Sequence, residues 1–154
     1  MSSVIPLGEE SYQDIYRMML VQGFPQTPAS FKQAIPYFEQ VDFYGVFNGG
    51  DLVVVFILGN RTCESAYLDV VCQPDWEGRW GNRRVLKELA SIAFELWRLS
   101  FLWAHTYGSR ALKASIKAGF NPVRPMMGKE NVLILTPQAF EKKFGKYTRE
   151  EGVH

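Results

Sequence analysis

Apolar positions recur with two different periods along the chain, and the change of period marks its centre. From Cys63 to Gln73 (CESAYLDVVCQ), Leu68, Val70 and Cys72 alternate with Tyr67, Asp69 and Val71. That is the two-residue period of a strand, and the β-branched content predicts one covered on both faces. From Arg83 to Trp97 (RRVLKELASIAFELW), Val85, Leu86, Leu89, Ile92, Ala93, Leu96 and Trp97 recur at helical spacing and predict one broad apolar stripe. Between them lies PDWEGRWGN. Pro74 cannot donate to a ladder and ends the strand, while Gly78 and Gly81 let the backbone turn with nothing beside it. The helix that follows is expected to begin with free N–H groups, which attract anions, and Arg79, Arg83 and Arg84 crowd the same turn.

The rest of the chain falls into shorter elements on either side. Val4 to Leu7 is a short apolar run before a helix, GEESYQDIYRMMLVQG, whose early glutamates and terminal Gly23 suit its two ends. Thr27 with Pro28 is expected to open a second helical stretch, ASFKQAIPYFEQ, which Pro36 should kink or split. Val41 to Phe47 and Leu52 to Leu58 read as an antiparallel hairpin around Asn48, Gly49, Gly50 and Asp51. Leu99 to His105 is a further strand, Asn121 to Met127 and Asn131 to Thr136 form a terminal pair joined through Gly128, and Pro137 starts a last short helix. Residues 1–154 are expected to form one domain, with residues 146–154 a loose polar tail.

Composition narrows the classes. A chain of 154 residues with 47% hydrophobic content can bury a substantial core. A net charge of +1 argues against nucleic-acid or membrane-surface partners recruited by charge. The longest apolar run, Leu52 to Leu58, falls far short of the roughly 18–20 residues of a membrane span. No leader pattern opens the sequence, so a soluble, cytoplasmic protein is expected. Cys63 and Cys72, on or beside one strand, cannot bridge without bending it, and no metal-ligand spacing occurs. His105, Cys72 and Asp69 make a nucleophilic triad only on paper, because neither cysteine carries a local signature of that chemistry.

The central segment resembles the acyl-coenzyme A core of the GNAT (Gcn5-related N-acetyltransferase) superfamily, where a strand ending near a proline meets a pyrophosphate loop and then a helix. On that pattern Glu77 to Asn82 takes the loop, with Trp80 and Asn82 where glycines usually stand. The form DWEGRWGNRRVL looks more like GNAT-type proteins carried by tailed bacteriophages. A second match is Gly108 to Phe120 (GSRALKASIKAGF), in which Ala111, Lys117, Gly119 and Phe120 fit the family's next helix while Gly108 and Ser115 replace its Asn and Tyr. The resemblance implies an α/β (α+β) fold with a mixed, mostly antiparallel sheet of six to seven strands, a central parallel pair that splays, and helices on both faces.

It also implies acetyl-CoA as co-substrate, without a metal, and direct attack of an amine on the thioester. The pantetheine arm would be held by the backbone of Val70, Val71 and Cys72, and the pyrophosphate by Gly78, Arg79, Trp80, Gly81, Asn82 and Arg83. Asp69 is the candidate base, ahead of Glu64 at the start of the strand. Tyr107 and Ser115 are the side chains placed to protonate the leaving thiolate, with water the alternative. The acceptor is a host or phage protein or a small amine. The competing class is a GNAT-fold protein without turnover, packaged in the virion or bound to a host factor or to other phage proteins.

Overall fold

The structure is a computed structural model and describes residues 4–125 and 130–147. In chain order its elements are β1 (Val4–Leu7), α1 (Tyr12–Gln22), α2 (Phe31–Phe38), β2 (Asp42–Asn48), β3 (Asp51–Gly59), β4 (Ser65–Cys72), α3 (Arg83–Ala90), β5 (Phe101–Tyr107), α4 (Gly108–Lys117), β6 (Asn121–Pro125), β7 (Glu130–Leu135) and α5 (Pro137–Phe144). It is a mixed α/β fold with strand order β1-β2-β3-β4-β5-β7-β6, antiparallel except for β4 and β5, and with helices on both sides. Two compact units are distinguishable, Met1–Arg61 with Tyr67–Trp80, and Thr62–Ala66 with Gly81–His154.

In the first unit the β2–β3 hairpin turns where the sequence placed it. Asn48 pairs with Asp51, and Gly49 and Gly50 between them take φ of 61° and 92°. Both angles lie in the left-handed region that glycine enters without strain, and a two-residue turn of this kind matches the twist of the strands. β3 is buried from Leu52 to Gly59 on both faces, so it reads as a continuous apolar run rather than an alternation. β4 was expected to be covered on both faces, but Tyr67, Asp69 and Val70 are only half-buried. One face of this sheet carries Phe43, Leu52, Val55, Ile57 and Val71 against Ile15, Tyr16, Met18 and Met19 of α1 and Ala34 and Phe38 of α2.

α2 differs from the sequence expectation at both of its special residues. It starts after Ser30, whose hydroxyl accepts from the Gln33 N–H at 3.2 Å, and not at Thr27–Pro28. Ser30 and Gln33 have the spacing of a capping box, the signal that would have located this start. Pro36 lies inside the helix without splitting it; the N–H it lacks would have gone to the carbonyl of Lys32, an exposed residue.

In the second unit β7 lies between β5 and β6, with Leu102 opposite Leu135 and Asn121 opposite Ile134. Gly128, the expected turn between β6 and β7, lies outside the described residues. α3 does not continue as an α-helix through Trp97. From Ser91 to Leu96 it is π-helical, and the Trp97 N–H donates to the Ile92 carbonyl five residues back. The wider turn moves later residues off the apolar stripe, so Leu96, predicted to be buried, is 70% exposed. α5 opens at Pro137 under a Thr136 cap, with Oγ1 accepting from the Ala139 N–H at 3.1 Å. Of the expected tail, Tyr147 packs on Phe94 and Phe140, and residues 148–154 lie outside the described ones. Among the described residues no helix is long and apolar enough to cross a membrane.

Candidate active site

The direction of each backbone N–H on β4 follows from its register. Cys72 lies opposite Val54 and Val71 opposite Val55, and just beyond the strand the Gln73 N–H donates to the Val53 carbonyl at 2.9 Å. Bonding alternates along an antiparallel ladder, so Val71 bonds toward β3 while the N–H groups of Val70 and Cys72 point away from it. Of the three candidate backbone donors, two therefore face outward. The Cys72 N–H already has a partner, because it donates to Oε1 of Gln22 at 3.0 Å, and the Gln22 amide nitrogen lies 3.9 Å from Cys72 Sγ. Gln22 is the last residue of α1 and was not singled out from the sequence.

Asp69 is half-buried in the middle of β4, opposite Ile57. Its charge is felt by Tyr37 of α2, whose hydroxyl is pushed up to about 12, first by burial and then by Asp69. Tyr37 packs against the α1–α2 core and also stands near the candidate base. The Cys72 thiol is 2% exposed and is pushed up to about 11, first by burial and then by the Glu77 charge. It is therefore neutral near pH 7, which fits a packing role better than a nucleophilic one.

Both shifts have a consequence for stability at alkaline pH. The folded chain holds the Cys72 and Tyr37 protons to about 11 and 12, against ordinary values of 9.0 and 10.0. Above about pH 9 the unfolded chain has released protons that the folded chain still binds, so stability falls as pH rises through that window. Urea midpoints are expected to drop steadily from pH 8 to pH 11, and a Tyr37→Phe, Cys72→Ala double variant should show a flatter decline. Identical slopes would show that these groups do not govern it.

After β4, Pro74–Trp76 forms a single 3-10 turn, and Gln73 anchors its start by donating from Nε2 to the Leu52 carbonyl at 2.7 Å. Gly78 has φ of 75°, and a Cβ placed there would meet nothing within 4 Å among the described residues. The position thus needs glycine for its backbone angle, and the space beside it is open. Arg79 folds back over this turn: its guanidinium lies 4.9 Å from the Trp76 ring, and Nη1 donates to the Asp75 carbonyl at 3.3 Å. Trp80 is half-buried with its ring edge-on to Phe56 at 5.9 Å, so it belongs to the packing of the first unit.

The second unit resumes at Gly81, where an added Cβ would touch, among the described residues, only Leu86, at 3.9 Å. Asn82 caps α3, its Oδ1 accepting from the Val85 N–H at 2.9 Å. The N–H groups of this helix start were expected to be free, and this one is not, because a short amide side chain satisfies it. Arg83 donates from Nη2 to the Phe144 carbonyl at 2.7 Å, at the C-terminal end of α5 where a cation is favoured. Arg84 pairs with Glu88 at 3.6 Å. The sequence joins these residues into one loop, but it does not show that two of them are tied to other groups.

Tyr107 closes β5, and its side chain lies outside the described ones; Ser115 is half-buried on α4. The residue before Tyr107, Thr106, is buried, and its hydroxyl has no partner among the described residues. Glu64 is exposed, and its carbonyl accepts from the N–H groups of Ser100 and Phe101. Among the described residues no group of three or more His, Cys, Asp or Glu side chains could hold a metal.

No protein-family model matches the chain, and neither does any curated protein. Solved structures do. A spermidine/spermine N-acetyltransferase SpeG from Vibrio cholerae, in mutant form, superposes with a TM-score of 0.75 at 12% identity, covering 92% of this chain and 97% of that one. The N-acetyltransferase PseH from Campylobacter jejuni, in complex with acetyl coenzyme A, superposes with a TM-score of 0.62 at 17% identity, covering 88% of this chain and 99% of that one. With seven strands in this order and likeness along nearly the whole length, the chain has the fold of the GNAT N-acetyltransferases.

Proposed function

We propose that the protein transfers an acetyl group from acetyl-CoA to an amine by direct attack on the thioester. The reading is carried by the open loop after β4: among the described residues nothing crowds the backbone at Gly78 and only Leu86 approaches Gly81, and arginines stand at positions 79, 83 and 84. In this chemistry the exposed Arg79 and Arg83 turn from their carbonyl partners to the diphosphate, a stronger, charge-assisted acceptor. The outward N–H groups of Val70 and Cys72 hold the arm and the thioester oxygen, where each donor is worth about 2.7–4 kcal/mol in comparable sites. Asp69 takes the proton from the attacking nitrogen, and Tyr107, Ser115 or water returns one to the departing thiolate.

The acceptor is a small amine or an amine of a host or phage protein. Spermidine is the first to try, since it is the substrate in the name of the Vibrio cholerae protein. The tryptophan-bearing loop favours a bacteriophage-encoded variant acting in the host cytoplasm. A second reading, a GNAT-fold protein without turnover that serves in the virion or binds a host factor, is favoured by the bond from Arg83 to Phe144 and by Gly108 and Ser115 in place of the family's Asn and Tyr.

Isothermal titration with acetyl-CoA separates the two. Micromolar binding is expected, weakened about tenfold by Arg79→Ala with Arg83→Ala and also by added salt. Absence of binding at protein concentrations well above that range would leave the second reading standing.

A further inference from the structure

We propose that Gln22 is a built-in competitor for the acyl-coenzyme arm: its side-chain carboxamide occupies the Cys72 N–H that an amide or thioester carbonyl of the arm must take. The inference rests on the acetyltransferase reading above. Three observations lead to it. The Cys72 N–H points away from β3, so it is available to something beyond the strand. What it meets is a neutral carboxamide oxygen at 3.0 Å, the same kind of acceptor that an amide-bearing arm presents. The carboxamide also covers the sulfur, with Nε2 at 3.9 Å from Cys72 Sγ.

The anchoring of Gln22 makes it releasable. α1 stops at this residue in a turn closed by its own backbone: Gly23, with φ of 72°, donates to Leu20, and Phe24 donates to Met19 at 2.9 Å. The helix end therefore does not depend on the Gln22 side chain, which can swing out by rotation about its own bonds. An incoming carbonyl replaces the Gln22 oxygen one for one, so the arm gains little at this donor until the carboxamide is removed. Gln22 thus sets the affinity for the arm and leaves the rest of the coenzyme untouched.

The test is calorimetric titration of the full chain with two ligands, acetyl-CoA and adenosine 3′,5′-bisphosphate, which lacks the arm. Gln22→Ala is expected to bind acetyl-CoA about threefold to tenfold more tightly than the wild type, the range of one neutral hydrogen bond. Gln22→Glu, whose carboxylate is the stronger acceptor, should bind acetyl-CoA more weakly. Adenosine 3′,5′-bisphosphate should bind all three proteins alike. Unchanged or weaker acetyl-CoA binding by Gln22→Ala, with the wild type still binding, overturns the inference and leaves the coenzyme reading intact. Equal shifts for both ligands also overturn it. Failure of every protein to bind either ligand overturns the coenzyme reading, and the inference with it.

Discussion

Asp69→Asn is expected to lower the rate of acetyl transfer by about 10²- to 10⁴-fold, the usual contribution of a positioned general base, while leaving acetyl-CoA affinity within about twofold of wild type. The substitution keeps the size of the side chain and one acceptor oxygen but removes the site that takes a proton from the attacking nitrogen. Asp69 sits half-buried on β4, one residue before Val70 and three before Cys72, whose outward N–H groups are the proposed donors to the arm. Tyr37, which feels the Asp69 charge, keeps its proton to about pH 12, so its hydroxyl is neutral across the working range. The measurement is thiol release from acetyl-CoA with spermidine as the first amine. A variant that turns over within threefold of the wild type would move the base elsewhere, to Glu64 or to water.

Phe38→Ala should cost about 3–5 kcal/mol of stability, the range for deleting a fully buried phenylalanine. Phe38 is 0% exposed at the end of α2 and is the hub of an aromatic cluster. Tyr12 and Phe43 meet it edge-on at 5.1 and 5.2 Å, and Tyr37 and Phe31 lie at 5.9 and 6.5 Å. Each such ring pair adds about 0.5–1.5 kcal/mol beyond the area it buries. The hole would also loosen Tyr37, the adjacent residue, and with it the surroundings of Asp69. Urea denaturation followed by tryptophan fluorescence reads the effect. A loss below about 1 kcal/mol would mean that α2 does not bury this ring.

Local chemistry explains which elements were legible in the chain. Asn48 to Asp51 announced the hairpin because glycine at two consecutive positions permits the angles observed. Pro74 marked the end of β4, since a residue without an N–H cannot extend a ladder, and Pro137 marked the start of α5. The start of α2 is legible too, in Ser30 and Gln33, but Thr27 and Pro28 offer a competing helix-start pattern just upstream. Pro36, expected to kink or split the helix, lies inside it without splitting it, because packing of the helix's buried face, which the sequence does not show, can outweigh one missing N–H.

The candidate site divides in the same way. Its positions could be named from the order strand, proline, glycine loop and arginine-rich helix start, because each of those requirements is met by residues adjacent in the chain. The partners of those positions could not. Gln22 meets Cys72 across 50 residues, Arg83 meets Phe144 across 61, and Tyr37 feels the charge of Asp69 from another element. Sequence by itself determined where the backbone turns, caps and alternates, since those depend on φ, on a missing N–H or on neighbouring side chains. Only the tertiary structure decided which donors are already taken, because a hydrogen bond goes to whichever acceptor folding brings within about 3 Å, however distant it is along the chain.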